Sequence, residues 1–321
     1  MKSTGFQICS VEILHKILSF PDTLFVLIPN SKELWDRTGH TMEILFNSKF
    51  LNHNRGSSAE GPYRIEAFQS QIQEVDSNGE AYVTLVHSES HLKMVRDACT
   101  HHQMLAEVNL TPESYEAACS AAGLTIMAAE QGDFAVVRPP GHHAKSERAD
   151  GFCLFNNIAI ATQKLVNEGK KVFILDIDGH HGDGTQEIFY ASDRVLFCSV
   201  HQQFAYPGTG ESHETGEGKG KGYTMNFPLP AGSGDRELLE VVDKAIARAK
   251  EFKPDVVGVS AGFDGYMDDR LLDLRYTLDG YFQVGNILAA SFNHIFAVLE
   301  GGYHLDIPSC VQHFIRGVNG N

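Results

Sequence analysis

Phe173-Ile174-Leu175-Asp176-Ile177-Asp178-Gly179-His180-His181-Gly182-Asp183-Gly184-Thr185 is the stretch on which the reading of this 321-residue chain turns. An apolar run ends in three aspartates and two histidines set among glycines. Because both faces of the run carry Phe, Ile, Leu or Val, it reads as a buried parallel strand. In open α/β sheets, ligand sites form outside the carboxyl ends of the strands, where this polar cluster begins. Asp178 and His180 are two residues apart, so an extended backbone points both side chains the same way. A carboxylate and an imidazole converging from one segment suit a borderline divalent metal.

Outward from this stretch the chain alternates strand, loop and helix. Strands are expected over 42–46, 82–86, 134–137, 171–177, 195–200, 256–260 and 295–299. Helices are expected from Pro62 to about 73, from Glu89 (capped by Ser88) to about 99, and from Thr111-Pro112 to about 130. Further helices are expected over 158–167, 236–252 and 281–290. Residues 52–62 read as a loop, and the glycine-rich run 207–222 as an active-site loop followed by a strand. It lacks the GK[ST] ending of a phosphate loop. This order predicts an α/β fold, a mainly parallel sheet with helices on both faces. One domain runs from residue 41 to the C-terminus. Residues 1–40, with helical spacing over 11–20 and a strand candidate over 23–28, form an appended extension.

The apolar fraction of 42% and charged fraction of 21% are those of an ordinary globular protein. A net charge of −15 argues against direct nucleic-acid binding. The six cysteines are scattered without a CxxC pair, which suits reduced thiols and a cytoplasmic location, with the nucleus left open. Residues 23–29 are apolar but too short to span a membrane. The first 30 residues carry Lys16 and Asp22 amid apolar residues and lack a signal-peptide pattern. The expectation is a soluble protein that is not secreted.

Five strand ends carry unusual residues: His142 and His143, then Asp176 to Asp183, then His201, Asp264 and Tyr303. Each has an ordinary explanation as a turn former, cap or loop aromatic. Their recurrence on successive strands does not. Asp178, His180 and Asp264 make a two-carboxylate, one-imidazole set that leaves a coordination position open, as catalytic zinc sites do. His142 and His143 suit general base and acid roles if carboxylates stand behind them, and Asp176 and Asp183 are available for that. Tyr303, after two glycines, can direct its hydroxyl to a developing oxyanion. Together these describe a metal-dependent hydrolase of an amide or ester carbonyl.

RPPGHHA at 138–144, GFCLFNNIAIA at 151–161, DIDGHHGDGTQEIFY at 176–190, YPGTG at 206–210, GEGKGKGYTMNFPL at 216–229, SAGFD at 260–264 and LEGGYH at 299–304 resemble the zinc-dependent histone deacetylase family. The resemblance spans about residues 41–318. It implies an arginase-like α/β fold with a central, mainly parallel eight-stranded sheet. It also implies zinc-dependent removal of acetyl or other short acyl groups from lysine side chains, with an acyl-lysine protein or peptide as partner and oligomerisation left open. The implied zinc ligands are Asp178, His180 and Asp264. The implied catalytic residues are His142, His143 and Tyr303, with Asp176 and Asp183 behind the histidines and His143 the better candidate for the general base and acid. Gly151 is implied to accept the acyl-lysine amide through its carbonyl, with Phe152 and Tyr206 as the tunnel walls. A potassium site is implied at the backbone of Asp176, Asp178, His180 and Val200, with the side chains of Asp176 and Ser199.

Three departures stand out. Gly179 replaces a usual hydrophobic residue, which suggests a looser backbone there. Tyr206 replaces a common phenylalanine and adds a hydroxyl. The entrance stretch reads SAEGPYRI, and the acidic rim residue of many members falls in a region holding Glu107 and Asn109. An acetylpolyamine amidohydrolase is the nearest alternative. Its acidic gatekeeper position is Leu271 here, which favours acyl-lysine peptides, although Asp268 and Asp269 lie nearby. A binuclear manganese hydrolase of the arginase type would need extra carboxylates in place of Tyr303 and the tandem histidines. A catalytically dead acyl-lysine binder would lack Tyr303 or a metal ligand.

Overall fold

The computed structural model describes residues 40–54 and 59–321. The strands are β1 (Ile44–Leu45), β2 (Met104–Leu105), β3 (Val108–Asn109), β4 (Phe134–Ala135), β5 (Val172–Asp176), β6 (Val195–Gln202), β7 (Thr224–Leu229), β8 (Val256–Ala261) and β9 (Ile295–Leu299). The helices are α1 (Glu80–Val83), α2 (Glu89–Thr100), α3 (Pro112–Gln131), α4 (Asn157–Asn167), α5 (Asp183–Phe189), α6 (Asp235–Phe252), α7 (Leu278–Ser291) and α8 (Ile307–Asn319).

Seven strands form one sheet in the order β1-β4-β9-β8-β5-β6-β7, with every neighbouring pair parallel. Among the described residues the sheet therefore has seven strands rather than eight. The strand candidate over 23–28, the helix candidate over 11–20 and nearly all of the extension lie outside those residues. β5 is an interior strand, between β8 and β6, and buried throughout, because helices cover both faces and its Val172, Phe173, Ile174 and Leu175 have no exposed side. Each such side chain contributes about 1.5–3 kcal/mol on burial.

Local chemistry sets the helix ends. Ser88 Oγ accepts the His91 N–H at the start of α2. Thr111 and Ser114 form a capping box for α3, Pro112 sits in its first turn, and Gly132 at φ +89° closes it. The Asn156 side chain accepts the Ala159 N–H at the head of α4. No helix among the described residues is long and apolar enough to cross a membrane.

Three expectations fail. Residues 82–86 are not a strand: α1 occupies Glu80–Val83, and turns follow. Gly79 before it packs against Gly123 of α3, where a Cβ would stand 2.5 Å from the Gly123 nitrogen, and its N–H donates to the Cys119 carbonyl. Pro62 opens two short 3-10 helices, Pro62–Arg64 and Glu66–Ser70, instead of one helix reaching residue 73. The break coincides with Arg64, whose side chain is drawn inward to the strand ends. Gly179 is not loose. Its N–H donates to Asp264 Oδ1 at 2.6 Å, its carbonyl accepts from the Gln202 N–H at 2.9 Å, and Leu272 Cδ1 lies 2.2 Å from where a Cβ would stand.

Candidate active site

The carboxyl ends of β5, β8, β9 and, through residues 136–141, β4 converge on one buried cluster. Asp178 and His180 follow β5, Asp264 follows β8, and the candidate ligand atoms of the three lie within 4.8 Å of one another. His180 Nδ1 stands 2.6 Å from Asp264 Oδ2 and 3.3 Å from Asp178 Oδ1. Backbone donors orient the carboxylates. The Gly301 N–H donates to Asp178 Oδ2 (2.7 Å), and the His180 N–H donates to Asp178 Oδ1 (2.9 Å).

The tandem histidines stand beside this group, each with its own carboxylate. His142 Nδ1 lies 3.1 Å from Asp176 Oδ2, and His142 Nε2 lies 3.8 Å from Asp178 Oδ2. His143 Nδ1 lies 2.8 Å from Asp183 Oδ1 at the start of α5. Lys145 Nζ stands 2.5 Å from the other oxygen of Asp183. The two imidazoles are pushed in opposite directions. Burial works against a proton on His142, but Asp178, Asp176 and Glu300 overcome it and hold its pKa well above the usual value. Burial, helped by the neighbouring His142, lowers His143 to about 4 against the pull of Asp183. Two adjacent imidazoles with opposite shifts are suited to complementary acid and base roles.

The carboxylates divide likewise. Burial and repulsion from Asp178 raise Asp264 to about 7. Burial raises Asp176 to about 6 against His142. Asp178 is held well below its usual range because His142 and His180 outweigh its burial. Two buried carboxylates flanking one imidazole, with a second carboxylate hard to ionise, form a donor set that a divalent cation would complete.

Tyr303 follows β9 through Gly301 and Gly302. Its N–H donates to Asp269 Oδ2 at 2.6 Å, so Asp269 is turned inward. The Phe152 ring meets the Tyr303 ring edge-on at 5.9 Å. The Tyr206 ring stands edge-on to His143 at 5.1 Å. Gly151 has φ +49°, and a Cβ there would stand 2.6 Å from His143 Cδ2, so only glycine fits between the loop and the imidazole. The sequence-derived residues thus gather at one place. Leu271 lies on the loop after Asp264, exposed. Ser199 faces Asp176 across the β5–β6 register, buried.

Some residues of the site were not foreseen. Glu300 follows β9 directly, accepts the Gly141 and His142 N–H groups at 2.7 and 3.1 Å, and receives the Ser260 hydroxyl. Its signal was available: a carboxylate at the end of an apolar strand, next to Gly-Gly-Tyr. Arg64, Arg138 and Glu60 form a fully buried ion cluster beneath the Gly302 turn. Nothing in their spacing announced it.

The histone deacetylase domain family matches residues 52–318. The chain belongs to the histone deacetylase family. It is 38% identical over 293 residues to a probable deacetylase of Archaeoglobus fulgidus, covering 87% of this chain and 78% of that protein. It spans less of the plant members, 44% of a chloroplastic histone deacetylase 10 of Oryza sativa subsp. japonica. Two solved family structures superpose closely. The HDA15 HD domain gives a TM-score of 0.81 at 31% identity, with 88% of each chain covered. An acetylpolyamine aminohydrolase from Burkholderia pseudomallei gives 0.78 at 30% identity, covering 86% of this chain and 98% of that one. The sheet and its flanking helices are those of the arginase/deacetylase fold.

Proposed function

We propose that this deacetylase-family chain is a zinc-dependent enzyme that removes acetyl groups from lysine side chains of proteins or peptides, with residues 41–321 as its catalytic domain. The observation that carries the reading is the pair of histidines, each backed by its own carboxylate, standing against an Asp-His-Asp group. Asp178, His180 and Asp264 would hold zinc, and the donor set fits it: two carboxylates and one imidazole with a position left open. When bound, zinc supplies Lewis acidity at the acyl carbonyl and acidifies a water molecule.

The chain's own groups do the rest. His143, kept neutral, accepts the water's proton and returns it to the leaving lysine amine. Asp183 fixes its orientation through Nδ1. His142, kept protonated against Asp176, balances the negative charge that builds beside it. The Tyr303 hydroxyl donates to the carbonyl oxygen as it gains charge. The Gly151 carbonyl accepts the substrate amide N–H. Phe152 and Tyr206 flank the acyl-lysine stem, Leu271 lies at the mouth, and Glu107, at the tip of the β2–β3 hairpin, is the acidic rim group. A potassium ion held by Asp176, Asp178, His180, Ser199 and Val200 belongs to the same reading.

The alternative substrate is an acetylated polyamine, and the similarity to the Burkholderia pseudomallei enzyme favours it. Two observations support lysine instead. Asp269 is occupied by the Tyr303 and Leu271 N–H groups, so it is not presented to a distal ammonium. The loops after β6, β8 and β9 expose Phe204, Met267, Leu271 and Leu305, apolar side chains better matched to a peptide than to a polycation, although Asp268 and Arg270 are exposed on the same loop. A side-by-side assay of acetyl-lysine peptides and acetylated spermidine tests the reading. Faster turnover of the peptide is expected, and hydrolysis of the polyamine alone would overturn it.

A further inference from the structure

Asp150 takes no part in the chemistry above, yet it is joined to one wall of the tunnel. The Tyr206 hydroxyl donates to Asp150 Oδ1 at 2.7 Å. The other carboxylate oxygen of Asp150 receives Arg148 Nη2 at 2.7 Å and has Lys145 Nζ at 3.9 Å. The hydrogen bond is therefore a charge-assisted one, stronger than a bond between neutral groups.

The loop that carries Asp150 is itself fixed. Asp150 and Cys153 exchange both backbone hydrogen bonds, at 3.1 and 2.8 Å. Gly151 and Phe152 lie in the left-handed region at φ +49° and +68°. Phe152 keeps that conformation while its N–H donates to the Ala106 carbonyl of the β2–β3 hairpin. The Tyr206 segment is tied at its base as well. Three residues on, the Thr209 hydroxyl lies 2.8 Å from His181 Nδ1, and the Gly210 carbonyl lies 3.1 Å from His201 Nε2. The ring is pinned at the backbone side by these contacts and at its para position by Asp150. Little room is left between the ring and the opposite loop: a Cβ on Gly151 would stand 3.0 Å from Tyr206 Cε1.

We propose that the Tyr206–Asp150 bond is a strap across the acyl-lysine tunnel that holds its width to the acetyl group, making Asp150 a specificity-determining residue of this chain. A phenylalanine ring at the same place could swing aside for a longer acyl chain. The strapped tyrosine must first break a bond to an ionised carboxylate. Lys145 connects the strap to the catalytic pair, since its ammonium sits between Asp150 and Asp183. The inference rests on the lysine deacylase reading.

The test compares kcat/KM for acetyl-, butyryl- and hexanoyl-lysine peptides of one sequence. The proteins are the wild type, Tyr206→Phe, Asp150→Ala and Asp150→Asn. Tyr206→Phe and Asp150→Ala each remove the strap, and the butyryl-to-acetyl ratio should rise about tenfold in both, the change that loss of one such bond corresponds to. Asp150→Asn keeps an oxygen acceptor for the tyrosine, and its ratio should lie nearer the wild type. That graded response separates a strap from general loosening, which would lower turnover of every peptide alike. Tyr206→Phe leaves the Asp150 loop untouched and covers the case in which Asp150→Ala does not fold. Equal acyl ratios in wild type and Tyr206→Phe would overturn the strap while leaving the deacylase reading intact. A wild type that hydrolyses none of the peptides would overturn both.

Discussion

The guanidinium of Arg64 lies over the ring of Tyr303, 5.2 Å from its centroid, while donating to the carbonyls of Gly302 and Glu300. The turn that presents the tyrosine is therefore held from beneath by one buried cation. Arg64 is in turn held by Glu60, which also binds Arg138, with all three side chains fully buried.

Tyr303→Phe should lower kcat by about 10²–10³, the usual cost of removing one oxyanion donor, and change KM little. Arg64→Met should lower kcat as well, because the turn loses its support, but by less than Tyr303→Phe. Steady-state kinetics on an acetyl-lysine peptide decide this. An Arg64 variant with wild-type kcat would show that the turn holds itself.

Glu60→Gln should destabilise the fold by about 3–5 kcal/mol, since two buried guanidinium groups lose their shared countercharge. Burial opposes ionisation of Glu60, but Arg138 first, then His53 and Arg64, bring its pKa below the ordinary glutamate value. The contribution is thus fully present above the unfolded pKa, about 4.3. It is lost as pH falls through the lower folded value. Urea unfolding at pH 7 and at pH 3 checks both parts. The gap between wild type and Glu60→Gln should be wide at the first and narrower at the second.

Zinc added to chelator-treated protein should raise its melting temperature, because an ion that binds only the folded state stabilises it by mass action. His180→Ala should show no such shift. A wild type whose melting temperature ignores zinc would argue against the metal site independently of any activity measurement.

Leu271→Glu should raise kcat/KM for acetylated spermidine by about threefold to fivefold, the range of an exposed ion pair. Turnover of a neutral acetyl-lysine peptide should change less. An unchanged polyamine rate would remove Leu271 from the selectivity argument.

The buried strand β5, the alternation of parallel strands with helices and the clustering of His142, His143, Asp176, Asp178, His180, Asp183, Asp264 and Tyr303 were legible in the linear chain. Strand ends in a parallel sheet point to one side, so polar residues placed just after apolar runs must meet there. Short elements were less legible. The run Tyr82-Val83-Thr84-Leu85-Val86 has strand composition, but close glycine packing of Gly79 on α3 leaves it as a helical turn. Helix α8 passed unnoticed although Pro308 and the spacing of Ile307, Val311, Phe314 and Val318 mark it.

Sequence periodicity and the positions of Asp, His and Tyr relative to apolar runs were enough to mark most strands of the parallel sheet and the polar residues that gather at their ends, because both follow from local backbone geometry. The buried Glu60–Arg64–Arg138 cluster, the inward turn of Asp269 and the Tyr206–Asp150 bond were decided by the tertiary structure alone. Each joins residues from separate loops, and which charges meet across loops depends on how those loops pack.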